Sequence, residues 1–240
     1  MLALGMLIPA TVAQGDAAQK SQHTPTAPQA EQKATPARAA DVPASPDEIL
    51  DREAARKARD KATLHRIEQS LNAIHSLKAA FVQRAPDGSV AEGTLYLERP
   101  GKLRFDFGDN APFLLVSNGT MLTFVDYEVS QVSRWPIRKT PLGILVDEEI
   151  RFDSAIEVPE IIRFAGLIKV PVIDPERREY GYIILIFEES TLELRAWESV
   201  DAQGYTTRVA LVNPEYNVAI EGKNFTFKDP RPSKRGPRRR

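Results

Sequence analysis

The chain has 240 residues, of which 42% are hydrophobic and 27% charged, with a net charge of -1 at pH 7. This length supports one sizeable domain with appended segments, and the near-neutral balance gives no footing for a nucleic-acid partner. Cysteine is absent, so the 240 residues hold neither a disulfide nor a lipid-modified cysteine, and the fold rests on its own core.

Residues 1–13, MLALGMLIPATVA, form an apolar run ending in small residues, with Ala10 or Ala13 at a cleavage point. The run reads as the hydrophobic part of a secretory signal lacking its basic start, with a start codon upstream, against the alternative of a plain apolar N-terminus. It is too short to span a membrane, which takes about twenty apolar residues. Residues 14–44 are rich in Ala, Gln, Pro and Thr and read as a flexible linker, because too little apolar surface is available to offset chain entropy. A domain is expected over 45–230, followed by a basic tail at 231–240 that is either solvated or docks on anionic lipid headgroups.

Ser45-Pro46-Asp47-Glu48 carries the marks of a helix start: serine as N-cap, proline at the first helical position and glutamate at N3. The next turns are charged all round. From Leu64 a stripe appears: Leu64, Ile67, Leu71, Ile74, Leu77 and Phe81 recur at intervals of three and four, which predicts one apolar helical face able to lie across a sheet. After Pro86-Asp87-Gly88 the chain reads as strands. Leu95 and Leu97 alternate with Tyr96 and Glu98, Arg99-Pro100-Gly101-Lys102 makes a turn, and Leu103, Phe105 and Phe107 then face opposite to Lys102, Arg104 and Asp106.

The meander continues through Pro112 to Ser117, the Asn118-Gly119 turn, Met121 to Tyr127 and Val129 to Trp135. Thr140-Pro141-Leu142-Gly143-Ile144-Leu145 predicts a short threonine-capped helix. Strands are expected at Glu160 to Val172, Tyr180 to Glu188, Leu192 to Val200 and Thr206 to Asn213, and Phe225 and Phe227 close the ordered part. The fold class is mainly β with α: a curved, incomplete antiparallel barrel with helices over its concave side.

Catalytic constellations are missing. The sequence holds no G-x-S-x-G, H-E-x-x-H, phosphate loop or Rossmann glycine pattern. His65 and His75 lie ten residues apart on the expected helix, too far to share a metal, and Asp147-Glu148-Glu149 reads as a solvated acidic run. A binding protein without cofactor is therefore expected, rather than an enzyme. Its inward apolar face is either a filled core or a lined cavity, two cases that share one periodicity.

The sequence resembles the LolA family of periplasmic outer-membrane lipoprotein carriers. The resemblance rests on Phe81-Val82-Gln83, Gly93-x-Leu95 followed by Arg99-Pro100, Leu115-Val116-Ser117-Asn118-Gly119, Thr140-Pro141-Leu142, and Phe225-Thr226-Phe227 before Pro230. It implies a half-barrel under a helical lid, in the periplasm, whose cavity receives acyl chains of lipoproteins from an inner-membrane lipoprotein-releasing ABC transporter. Delivery would go to an outer-membrane receptor or to the outer membrane directly, and a monomer is expected. By the same resemblance Arg99 closes the lid through hydrogen bonds to its backbone, while Phe81, Leu95, Leu97, Leu103, Phe105, Phe107, Leu142 and Leu145 line the cavity. Family members often carry bulkier aromatics where Leu103 stands. The alternative is a half-barrel sensor or regulator that detects lipids or lipoproteins and binds a protein partner.

Overall fold

The structure, a computed structural model, describes residues 45–108, 111–152 and 156–232. The signal-like run, the linker and the tail beyond Pro232 lie outside the described residues. The chain divides into compact units at Arg59 and Asp60. Helix α1, Pro46–Asn72, begins as its sequence dictates: Ser45 N donates to Glu48 Oε2 at 3.0 Å and Glu48 N to Ser45 Oγ at 3.2 Å. These two bonds are a reciprocal capping box. Residues 46–59 are exposed all round.

From Asp60 onward α1 is amphipathic, with Ile67 and Leu71 buried and Leu64 half-buried. The apolar stripe, however, does not stay on the helix. Leu77 and Phe81 belong to strand β1, Ser76–Arg84, and Ile74 and His75 lie between the two elements. A spacing of four misleads here because residues i and i+4 share a face in a helix and in a strand alike. Two features mark the change from helix to strand. Asn72 turns its side chain away to the backbone of Ile150, and Ala79 and Gln83 complete an inward row of period two with Leu77 and Phe81.

Ten further strands follow. They are β2 Val90–Glu98, β3 Lys102–Asp106, β4 Phe113–Asn118, β5 Met121–Asp126 and β6 Gln131–Pro136, then β7 Ile162–Phe164, β8 Leu167–Val172, β9 Tyr182–Glu188, β10 Leu194–Val200 and β11 Thr206–Tyr216. They form one antiparallel sheet in the order β6-β5-β4-β3-β2-β1-β11-β10-β9-β8-β7. The ends β6 and β7 do not pair, so the barrel is incomplete. Its curl shows in one contact: the rings of Phe105 on β3 and Trp197 on β10 lie 6.2 Å apart between centroids. In a flat sheet four strand spacings would separate those strands by about 19 Å.

Between the two halves of the sheet lies α2, Gly143–Val146. Thr140 does not cap it. The N-cap is Leu142, while Thr140 Oγ1 donates to Ile137 O at 2.8 Å and closes the 3-10 turn Ile137–Lys139. The single strand expected over 160–172 is a hairpin, because Ala165 and Gly166 both take positive φ, 50° and 77°, and reverse the chain. The outward, charged face of β3 is partly covered by the C-terminal segment. Arg104 Nη1 donates to Thr226 O at 3.1 Å, and Phe227 packs on an outer cluster of Leu114, Val116 and Val125.

Candidate functional site

The concave face is one apolar layer. Phe81, Leu95, Leu97, Leu103, Phe105, Leu142 and Leu145 are buried in a single cluster, and Phe107 packs against it half-buried. Strand alternation places the β1, β2 and β3 residues there, with Leu95 against Phe105 and Leu97 against Leu103 in cross-strand register, while Leu142 and Leu145 come down from the α2 segment. Gly93 lies opposite Phe81 in register, and any Cβ at Gly93 would stand 2.9 Å from that ring and 2.1 Å from Asp106 O. The bare glycine is what lets the Phe81 ring lie against the sheet.

Aromatic rings continue the layer toward β4 and β5. Phe81 meets Phe105 at 5.2 Å and Phe107 at 5.3 Å, Phe107 meets Phe113 at 4.8 Å, and Phe113 meets Phe124 at 6.3 Å, all between ring centroids. The sequence reading missed Trp197, Phe113 and Phe124 as members of this face. For Trp197 the reason is physical: pairing between β9 and β10 shifts register between Leu194 and Ala196, so alternation counted from Leu194 assigns Trp197 to the wrong side.

Two helical pieces cover the layer, and Arg99 in the β2–β3 turn reaches both. Its Nη1 donates to Leu71 O at 2.5 Å in the last turn of α1, and its Nε donates to Leu145 O at 3.1 Å in α2. Gly101 N, in the same turn, donates to Val146 O at 2.7 Å. Carbonyls at helix C-termini lack intrahelical partners and carry partial negative charge, which suits a guanidinium with five fixed donors. The cover is also stitched to itself: Asn72 Nδ2 donates to Ile150 O, and Ile150 N donates to Asn72 Oδ1, both at 2.8 Å.

Burial pulls the Arg99 guanidinium down to about 10, opposed by the nearby Asp147 carboxylate. It therefore stays charged at neutral pH. Asp147 is not the freely solvated residue that its acidic run suggests. It is half-buried, and desolvation raises its carboxyl above the ordinary range despite the opposing pull of Arg138, Arg177 and Arg99. Glu148 and Glu149 are exposed as expected.

Little empty space remains beneath the cover. A cavity of about 30 Å³ lies among Phe105, Leu142, Trp197, Gln83 and Asp201, room for a water or two. A larger depression of about 460 Å³ runs between α2 and the segment Pro175–Tyr180. Its rim carries Arg138, Asp147, Asp174 and Arg177, and none of the inward apolar residues named above lines it. Among the described residues the concave face is a filled core beneath its cover.

Residues 72–228 match the family described as Outer membrane lipoprotein carrier protein LolA, well over half of the chain. The chain belongs to the LolA family. The outer-membrane lipoprotein carrier protein of Methylococcus capsulatus is 25% identical over 174 residues, covering 69% of this chain and 83% of that one. That of Legionella pneumophila strain Corby is 27% identical over 173 residues, covering 69% and 85%. A LolA superfamily protein of known structure, NE2245 from Nitrosomonas europaea, covers 68% of this chain and 97% of its own at 11% identity and a TM-score of 0.39. LolA proteins are carriers rather than enzymes. The family match takes in Arg99, α2 and every strand, but leaves out nearly all of α1. No described helix is long and apolar enough to cross a membrane.

Proposed function

We propose that this LolA-family protein is a periplasmic carrier that takes the acyl chains of lipoproteins from the inner-membrane lipoprotein-releasing ABC transporter and brings them to the outer membrane, through a receptor or directly. The observation that carries the reading is the two-pronged hold of Arg99 on the backbone of both covering helices. Side-chain packing alone would close an ordinary core. A charged latch on main-chain carbonyls instead gives the cover a second, separable position.

The filled interior has an energetic use. Each acyl methylene buried is worth about 0.8 kcal/mol, so lipidated chains cross water only if something shields them. A cavity held permanently open would grip such chains tightly. Here Leu142, at the head of α2, must be displaced from beside Phe105 and Trp197 before cargo enters, and re-closure of Leu142 and Leu145 onto that face competes with the bound chains. Cargo is thus held by a difference between two burials, which keeps release within reach of a downstream acceptor. Loading is assigned to the transporter, since the chain has no phosphate-binding loop of its own.

The reading is tested by incubating the purified protein with a triacylated lipopeptide and an apolar fluorescent dye. A carrier takes up the dye and gives it up to the lipopeptide, and lipidated proteins copurify with it from the periplasm. A protein that takes up neither ligand is not a carrier.

A further inference from the structure

Two buried side-chain atoms among the described residues lack a hydrogen-bond partner, Gln83 Nε2 and Asp201 Oδ2. Both side chains line the same small space, roofed by Pro141 and Leu142 beside Phe105 and Trp197. Gln83 is 4% exposed and Asp201 8% exposed. Gln83 ends the inward row of β1 that begins with Leu77, Ala79 and Phe81, and its register partner on β11 is Val209, which pairs onward with Trp197. A glutamine therefore stands in a row otherwise given to hydrocarbon. Asp201 follows β10, and its Oδ1 accepts from Gln203 N and Tyr205 N, both at 2.9 Å. Those two bonds fix the carboxylate and leave Oδ2 over.

A buried amide donor and a buried carboxylate acceptor left unpaired are costly, and native proteins keep few of them. The space of about 30 Å³ admits a water, which can serve both atoms in the absence of cargo. On the carrier reading, displacing Pro141 and Leu142 would leave the same pair on the floor of an apolar groove with one donor and one acceptor on offer.

We infer that Gln83 and Asp201 read the head of the cargo, recognising an amide-linked acyl group such as the acylated N-terminus of a lipoprotein. Asp201 Oδ2 accepts the amide N–H, and Gln83 Nε2 donates to a neighbouring ester or amide carbonyl. The inference rests on the carrier reading and sharpens it. A carboxylate is an acceptor only. At the acyl linkage of a diacyl phospholipid it finds no donor, because both linkages are esters without an N–H and the group next to them is an anionic phosphate. A free fatty acid likewise places carboxylate against carboxylate. The pair thus selects lipidated protein from the phospholipid around it, a distinction that apolar lining cannot make, since the acyl chains are alike.

The test compares two competitors for a bound apolar dye: a synthetic N-acyl-S-diacylglycerylcysteine peptide and a short-chain phosphatidylglycerol below its micelle concentration. Wild type prefers the lipopeptide. Gln83→Leu and Asp201→Asn each weaken lipopeptide binding about tenfold, or about 1.4 kcal/mol, and leave dye and phosphatidylglycerol affinity unchanged or higher. Asp201→Asn keeps the acceptor that holds the turn, and Gln83→Leu removes an unsatisfied donor, so neither is expected to lower melting. Lipopeptide binding equal to wild type in both variants means that the pair serves a structural water only and overturns the inference. Equal loss for both competitors overturns it as well, by pointing to groove packing. A wild-type protein that binds neither dye nor lipopeptide overturns the carrier reading itself, and this inference with it.

Discussion

Arg99 holds Leu71: the guanidinium Nη1 lies 2.5 Å from the Leu71 carbonyl, so a hairpin turn of the sheet grips the final turn of the helix above it. The same side chain reaches Leu145 in α2. One residue therefore ties three elements distant in sequence, and its bonds go to main chain, which no partner substitution can remove. The prediction that follows concerns cargo handling more than folding.

Arg99→Leu is expected to keep the sheet and lose the latch. Hydrogen bonds from charged groups contribute roughly 1.5–3 kcal/mol each, and losing them favours the open arrangement over the closed one. Apolar dye affinity should rise about tenfold or more, and a bound lipopeptide should dissociate more slowly, because re-closure no longer competes as strongly. Titration and stopped-flow release, with circular dichroism as the folding control, measure both. Wild-type uptake and release would remove Arg99 from the mechanism.

How much of this was legible beforehand differs by element. The Ser45–Glu48 cap, the β2–β3 hairpin and the inward placement of Leu95, Leu97, Leu103 and Phe105 follow from local chemistry and strict alternation, so they could be read directly. Leu77 and Phe81 were assigned to the wrong element, because a spacing of four suits helix and strand equally. Trp197 was hidden by the irregularity near Arg195. The partners of Arg99 and the pairing of Gln83 with Asp201 in one cavity depend on how the sheet curls, a long-range property that no local pattern carries.

Gly93→Ala tests the close approach in β2. A Cβ there would sit 2.1 Å from the Asp106 carbonyl oxygen and 2.9 Å from the Phe81 ring, so either β3 or the ring must move. Overpacking of this kind costs about 1–3 kcal/mol. Urea unfolding should show that loss, whereas Gly88→Ala, at a turn with open space around it, should reveal only the strain of its positive φ.

Asp147→Asn tests the half-buried charge beside α2. Burial raises the folded-state pKa of Asp147 above its unfolded value, so the folded state holds its proton more firmly. That contribution to stability is fully present below the unfolded value of 3.8 and is lost as pH rises through the raised folded value. Asparagine, neutral throughout, should therefore raise the melting temperature at pH 7 and converge with wild type in acid. A variant less stable than wild type at pH 7 would mean that attraction to Arg138 and Arg177 outweighs desolvation.

Phe105→Glu separates a rigid core from a core that opens. Phe105 is 2% exposed and touches Phe81 and Trp197 beneath Leu142. In a rigid core the new carboxylate is trapped without a partner and unfolds the domain, since an unpaired buried charge costs several kcal/mol. With a displaceable cover the charge has a cheaper escape: α2 swings aside and water reaches the groove. The expected variant keeps its far-ultraviolet strand signal, exchanges the amides of Gly143–Val146 faster than wild type, and takes up no apolar dye because its groove is now wet and charged. Cooperative loss of the whole sheet, in a protein whose wild type also refuses the dye, would reduce the concave face to an ordinary core and leave the carrier reading without support.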